Sequence, residues 1–237
     1  MACEESQVTT IELRKLGHIV YSCDIQECSG GHPEWHIKGD CLPLLNGNCE
    51  FILQNGQREI IDKKWDLIIA HPPCTYLSTA ATRSHSVKDS YNTLQSIADR
   101  TIKRIEAMKF FMNFVYADCK HIAIENPTGV MNTCYRSPDI TVHPWYFAKN
   151  KNDTENYQHK RTHFWLFGLC PLLWDSELQE PKYEKYDNGR PKNFMNVIKN
   201  PKVRSKTFPG IAKAMAEQWT SYIETGKNIK DNHKRLF

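Results

Sequence analysis

Short apolar runs recur along the chain, each cut off by a polar or turn-forming cluster. WDLIIA, residues 65–70, reads as a buried strand, and Pro72 and Pro73 stop it with a rigid, extended backbone. HIAIENP, residues 121–127, repeats the arrangement and ends in a carboxylate, an amide and a proline. Residues 18–25 predict a strand ending in Asp24, residues 37–45 bring Asp40 to a further turn, and residues 161–168 alternate as a strand does. Asn55–Gly56 between apolar runs predicts a hairpin over residues 46–61. Residues 94–117 carry helical spacing and residues 210–223 read as an amphipathic helix; residues 7–16 form a third, with Ser6 as N-cap and Gly17 as stop. A mobile loop is expected over residues 78–93, irregular chain over 135–160, no periodic element over 169–203, and a frayed polar tail over 226–237. Strands alternating with helices predict an α/β fold. Its sheet is expected to be doubly wound and mostly parallel, in one domain spanning residues 1–237.

Composition narrows this only slightly. A chain of 237 residues suffices for one sizeable α/β domain. A net charge of +4 permits a polyanionic partner without demanding one, and six tryptophans serve base stacking or an ordinary core equally well. No apolar run is long enough to span a bilayer, and the opening MACEESQ is unlike a signal peptide, so a soluble cytoplasmic protein without a membrane partner is expected. Nine cysteines, an odd number scattered without rhythm, are expected to be reduced thiols. A monomer is the default expectation.

The strand ends carry the candidate chemistry. Cys74 follows the two prolines at the carboxyl end of its strand, where open α/β sheets place their chemistry. Glu125 holds the same position on another strand, and the two can serve one site as nucleophile and acid. Taken alone, each has an ordinary reading, a buried cysteine after a proline pair and a surface carboxylate. Their order and spacing, together with Asp24 and Asp40, point instead to a shared site.

HPPC at residues 71–74, ENP at 125–127, and the segments around them resemble the DNA (cytosine-5)-methyltransferase family over most of the chain. Combined with CEES and CDIQ, they are similar to small cytosine methyltransferases encoded by phages and prophages. The resemblance implies a Rossmann-like methyltransferase fold, S-adenosylmethionine as cofactor, DNA as partner, and the cytoplasm of a bacterium or phage-infected host. It makes Cys74 the nucleophile and Glu125 the acid on the base. ACEESQ stands at the cofactor loop, so Cys3, Glu4 and Ser6 would line the cofactor, with Asp24 and Ile25 at its ribose, Asp40 and Cys41 near its adenine, and Pro72 beside it. Pro73, Asn126, Lys160, Arg161 and Thr162 would meet the substrate, and residues 204–219 would close the cofactor pocket. The implied chemistry is coherent: carbon 5 of cytosine is too weakly nucleophilic to take a methyl group until a thiolate adds at carbon 6, and the base must leave the stack to reach the thiol.

The departures are instructive. The cofactor loop lacks Gly-x-Gly, and only Met1 and Ala2 precede Cys3, so a nearly absent first strand is expected, from a late start or a clipped pocket. Residues 169–203 form a short insert where restriction-type relatives have a target-recognition domain, which predicts weak, salt-sensitive DNA binding through Lys160, Arg161, Lys182, Lys185, Arg190, Lys192, Lys199, Lys202, Arg204 and Lys206. Cys23, Cys28, His32 and His36 have a spacing that could bind zinc; the simpler reading is a loop over the cofactor or base, freed by Gly30 and Gly31, with Trp35 covering the adenine or packing. Two alternatives stay open: the same carbon-5 chemistry on a free nucleotide or RNA, and a non-catalytic nucleic-acid-binding protein on a relic methyltransferase fold.

Overall fold

The structure, a computed structural model, describes residues 1–86 and 92–228; part of the expected 78–93 loop and most of the expected frayed tail lie outside the described residues. The fold is mixed α/β with small sheets. In chain order its elements are α1 (Val8–Lys15), β1 (Ser22–Asp24), β2 (His36–Lys38), β3 (Cys49–Ile52), β4 (Arg58–Ile61), β5 (Ile68–Ala70), α2 (Leu94–Val115), β6 (Ile122–Asn126), α3 (Met131–Cys134), β7 (Ile140–Val142), β8 (Thr162–Phe167), α4 (Phe194–Val197), α5 (Pro201–Ser205) and α6 (Pro209–Thr225).

β5 and β6 run parallel, with Ile68 opposite Ile122 and Ala70 opposite Ile124. β8 lies antiparallel to β6 and β7 antiparallel to β8, giving the order β5-β6-β8-β7. β1 and β2 form a parallel pair. Ala2 links the two groups, bridging Cys23 of β1 and Ala70 of β5 in parallel; its N–H donates to the Ile69 carbonyl at 2.8 Å and its carbonyl accepts from His71 N–H at 2.9 Å. That single residue occupies the place of the expected first strand. β3 and β4 make the predicted hairpin, in which Gly56 takes φ 91°, a left-handed value that glycine reaches without strain.

Period-two alternation divides the sheet between two cores. Ile68, Ile122, Ile124 and Trp165 pack with Phe111 and Phe114 of α2 on one face. Ile69, Ala123, Phe164 and Leu166 pack with Ile211, Met215 and Trp219 of α6 and Leu13 of α1 on the other. β5 and β6 are apolar at successive positions because both faces are covered.

Several expectations shift in detail. Ser6 is not the cap of α1: Gln7 occupies the cap position with φ 57° and makes no capping bond, while the buried Glu4 carboxylate accepts from Thr9 N–H at 2.6 Å and Thr10 N–H at 3.3 Å. A carboxylate satisfies two free N–H groups and faces the positive end of the helix, so it outcompetes a serine hydroxyl. The strand over residues 18–25 shrinks to Ser22–Asp24, because the Val20 carbonyl is taken by Arg14 Nε at 2.9 Å and the Tyr21 carbonyl by the Met1 amino group at 2.7 Å. Residues 79–85 form 3₁₀ turns within the span expected to be loop, and β7 emerges within the irregular span 135–160. α2 begins at a reciprocal capping box between Thr93 and Ser96.

Candidate active site

Parallel pairing of β5 and β6 carries both chains out of the sheet at one edge. His71 and Pro72 leave β5 alongside Glu125 and Asn126. The buried Asn126 side chain donates to the Pro72 carbonyl at 2.8 Å, fastening the Pro-Cys turn to the Glu-Asn-Pro strand. His71 Nδ1 stands 3.5 Å from Glu125 Oε2. Beyond the strands the two loops stay zipped: Thr79 N–H donates to the Thr128 carbonyl at 2.9 Å, Val130 N–H to the Leu77 carbonyl at 2.8 Å, and Ser78 bridges Gly129. A β-carbon on Gly129 would lie 2.0 Å from the Leu77 carbonyl oxygen. Gly129→Ala is therefore expected to destabilise the protein by about 1–3 kcal/mol in urea unfolding, since backbone rather than a flexible side chain must move.

Removing the Asn126 amide leaves the Pro72 carbonyl without its donor. Asn126→Ala should cost about 1–3 kcal/mol in the same measurement, the usual loss for a buried unsatisfied partner.

β8 delivers the third side of the site. Its antiparallel register sets His163 opposite Asn126 and Thr162 opposite Val142, so Lys160 and Arg161 arrive at the edge where β5 and β6 end. Lys160 Nζ donates to the Arg204 carbonyl at 2.9 Å, which draws the segment before α6 against the site. Thr162 is buried beneath this edge, and Arg161 is exposed on it. His163, which sequence reasoning did not single out, is buried between Thr128 Oγ1 and Thr141 Oγ1, each at 2.7 Å.

The electrostatics of the edge separate its two central groups. Burial pushes the Glu125 carboxyl up, but the His71 hydrogen bond and the charges of Lys160, His71 and His163 outweigh it and hold the group below its ordinary value. The Cys74 side chain is open to solvent on one side and crowded by protein on the other. That crowding, with the Glu125 charge, raises the thiol above its ordinary value despite the opposing pull of Lys160 and Arg204.

The predicted cofactor residues gather at the same edge, with differing freedom. Cys3, with φ 58°, begins a tight turn over Ala2, and the turn is held by Glu4 N–H to the Cys23 carbonyl at 3.3 Å. The Glu4 side chain is committed to capping α1, so only its backbone can line a ligand, which corrects its expected role. Ser6 is buried, Pro72 is buried, and the buried Cys41 thiol lies beside that of Cys3. Asp24 ends β1 and Asp40 follows β2; one oxygen of each closes a turn, onto Gln26 N–H at 2.9 Å and Leu42 N–H at 3.0 Å. The other oxygens form no hydrogen bond among the described residues. Ile25 lies at the rim, 77% exposed. Glu5 was not named as a ligand residue; it is 8% exposed, its backbone carbonyl accepts from Ser29 N–H at 2.8 Å, and its carboxylate makes neither hydrogen bond nor ion pair among the described residues.

The zinc reading does not survive. His36 spends both ring nitrogens, on Ser22 Oγ at 2.8 Å and the Gln26 carbonyl at 2.9 Å, and His32 pairs with Glu34. Among the described residues no cluster of His, Cys, Asp or Glu could hold a metal ion. Trp35 stacks on His32 at 3.8 Å with Arg14 over its ring. Gly30 serves close approach rather than freedom: a β-carbon there would lie 2.6 Å from Gln7 Cβ. Gln7, fully buried, ties the loop down through the His32 backbone and Ser22.

A cavity of about 710 Å³ lies at the opposite edge of the sheet, between Met1, Tyr21, Trp65 and Leu67, away from Cys74. Among the described residues no helix is long and apolar enough to cross a membrane. No protein-family model, curated protein or solved structure matches the chain.

Proposed function

We propose that this protein is a DNA (cytosine-5)-methyltransferase with Cys74 as nucleophile and Glu125 as the acid on the base. The observation that carries the reading is the fastening of Asn126 to Pro72, which sets Cys74 and Glu125 at the ends of adjacent parallel strands. A pyrimidine ring needs a thiolate at carbon 6 and a carboxyl group at nitrogen 3, and two loops leaving neighbouring strands can flank one ring in that way. His163, held between two hydroxyls and with burial favouring its unprotonated form, gives this site a polar floor.

S-adenosylmethionine supplies the methyl group when bound. The strand order β2-β1-Ala2-β5-β6-β8-β7 reverses direction of growth at Ala2, and open sheets bind their ligands outside the carboxyl ends at such a switch point. The residues there suit a cationic, ribose-bearing ligand. Glu5 is a buried acid without a paired cation among the described residues, and Asp24 and Asp40 each keep an oxygen for a hydroxyl or an amino group. Asp24→Ala is expected to weaken S-adenosylmethionine binding by about 1–3 kcal/mol in titration calorimetry, with a stability loss of about 0.5–1.5 kcal/mol from the turn bond to Gln26 N–H.

DNA as substrate rests on the basic edge formed by Lys160, Arg161 and Arg204 beside Cys74. Segment 169–203 contributes no element longer than five residues, so phosphate contacts rather than base-edge reading are what it can supply. Lys192 is already paired with Glu184 at 3.1 Å, which discounts it. The test is to incubate the protein with labelled S-adenosylmethionine and DNA, RNA and free nucleotides in parallel. Label in DNA is the expected result; label only in RNA or nucleotides would move the substrate, and no label with any of them would overturn the reading.

A further inference from the structure

Helix α2 carries a group of cations that the proposed chemistry does not use. Arg104 Nε donates to the Tyr76 carbonyl at 3.0 Å, two residues beyond Cys74. Arg100 lies over the Tyr76 ring at 5.2 Å and Lys103 at 5.9 Å. His85, at the end of the 3₁₀ segment, faces the same two arginines; burial first, then the charges of Arg104 and Arg100, hold its ring towards the neutral form. Burial, followed by the charge of Arg100, likewise lowers Arg104. Three buried polar atoms in this group have no hydrogen-bond partner among the described residues: Arg100 Nε, Arg104 Nη2 and His85 Nε2. Among the described residues no carboxylate makes an ion pair with either arginine.

Folding like charges together with unpartnered donors is unfavourable on its own. A guanidinium left in this state is a ready partner for a tetrahedral oxyanion, because its planar fork matches two phosphate oxygens. We propose that Arg100, Arg104 and His85, beside Tyr76, form a phosphate-binding site on the loop that carries Cys74. Lys103 adds charge at its rim. The site binds one phosphate group, and through the bond from Arg104 to the Tyr76 carbonyl that occupancy fixes the turn on which the thiol is presented. The site itself does not rest on the methyltransferase reading; only its assignment to a nucleic-acid backbone does.

Two measurements on the full chain separate these statements. In thermal unfolding, inorganic phosphate should raise the wild-type midpoint by several degrees over chloride of matched ionic strength, since a ligand of the native state stabilises it by mass action. The Arg100→Gln/Arg104→Gln double variant should lose that difference. Without phosphate its midpoint balances a relieved repulsion against the lost bond to the Tyr76 carbonyl, so the difference between phosphate and chloride is the quantity that reads the site. His85→Gln, which keeps both arginines, should lose part of the phosphate shift and provides the comparison if the double variant folds poorly. In fluorescence anisotropy with a labelled single-stranded oligonucleotide, the double variant should bind about tenfold more weakly, and the slope of log affinity against log salt should fall by about 0.7 for one lost phosphate contact. A phosphate shift with an unchanged oligonucleotide slope would assign the site to a free phosphate-bearing ligand. Equal stabilisation of wild type and both variants by phosphate and chloride would overturn the site, whether or not the protein methylates DNA.

Discussion

Cys74→Ala is expected to abolish methyl transfer, by on the order of 10⁴-fold or more, and to give no covalent adduct with DNA containing 5-fluorocytosine. Wild-type protein should form that adduct, because fluorine at carbon 5 cannot leave as a proton and the thiol stays bound at carbon 6. The fold should be unaffected: Cys74 is exposed beyond the strand, so trimming one sulfur atom costs about 0.5 kcal/mol or less. Denaturing electrophoresis of wild type and variant on the fluorinated DNA reads the result directly. Wild-type protein that methylates cytosine yet never forms the adduct would sink the thiol mechanism.

Glu125→Gln should lower the rate by about 10²–10⁴-fold and change the shape of its pH dependence. The reactive form pairs a thiolate with a protonated carboxyl group, and it carries the same number of protons as the resting thiol with an ionised Glu125. The wild-type kcat/KM should therefore be flat across the interval between the two titrations. Burial and the Glu125 charge raise Cys74, while His71, Lys160 and His163 outweigh burial to lower Glu125, so both ends of that interval move outwards. The plateau should extend from below about 4.3 to above about 8.5, the ordinary values of the two groups. In Glu125→Gln the acid limb disappears and activity should climb with pH through the Cys74 titration, which itself moves down once the neighbouring charge is gone. Stability carries the matching sign. A carboxyl held below its unfolded value stabilises the fold above about pH 4.3, and that contribution is lost as pH falls through the folded value, so wild type should lose stability in acid relative to the glutamine variant. A wild-type profile that rises steadily from pH 6 to 9 instead of staying flat would contradict the shared-proton arrangement.

What could be read in advance follows a physical division. The strands at residues 65–70 and 121–127 were legible because a strand buried on both faces must be continuously apolar, and prolines mark its end. The hairpin at Asn55–Gly56 and the helices α2 and α6 were legible for the same local reasons, turn chemistry and period. β7 was not, since three residues flanked by proline on both sides carry no readable alternation, and only pairing with β8 makes them a strand. The capping role of Glu4 was hidden because capping was sought next to the helix, whereas Glu4 reaches back across a left-handed turn at Gln7. The spacing of Cys23, Cys28, His32 and His36 left zinc open beside the simpler reading of a loop, because ligand spacing along a chain says nothing about where the ring nitrogens of His36 find partners.

By itself the sequence determined which residues end strands with reactive side chains: Cys74 after two prolines, Glu125 before Asn126, Asp24 and Asp40 at their turns. These are local consequences of apolar runs meeting chain breakers. Only the tertiary structure decided that β5 and β6 are neighbours, that Asn126 reaches the Pro72 carbonyl, and that β8 brings Lys160 and His163 to the same edge. It also decided that Arg100, Arg104 and His85 collect without a hydrogen-bonded counter-charge among the described residues. Pairing between strands some fifty residues apart is chosen by the packing of the whole core, and no local pattern of residues encodes it.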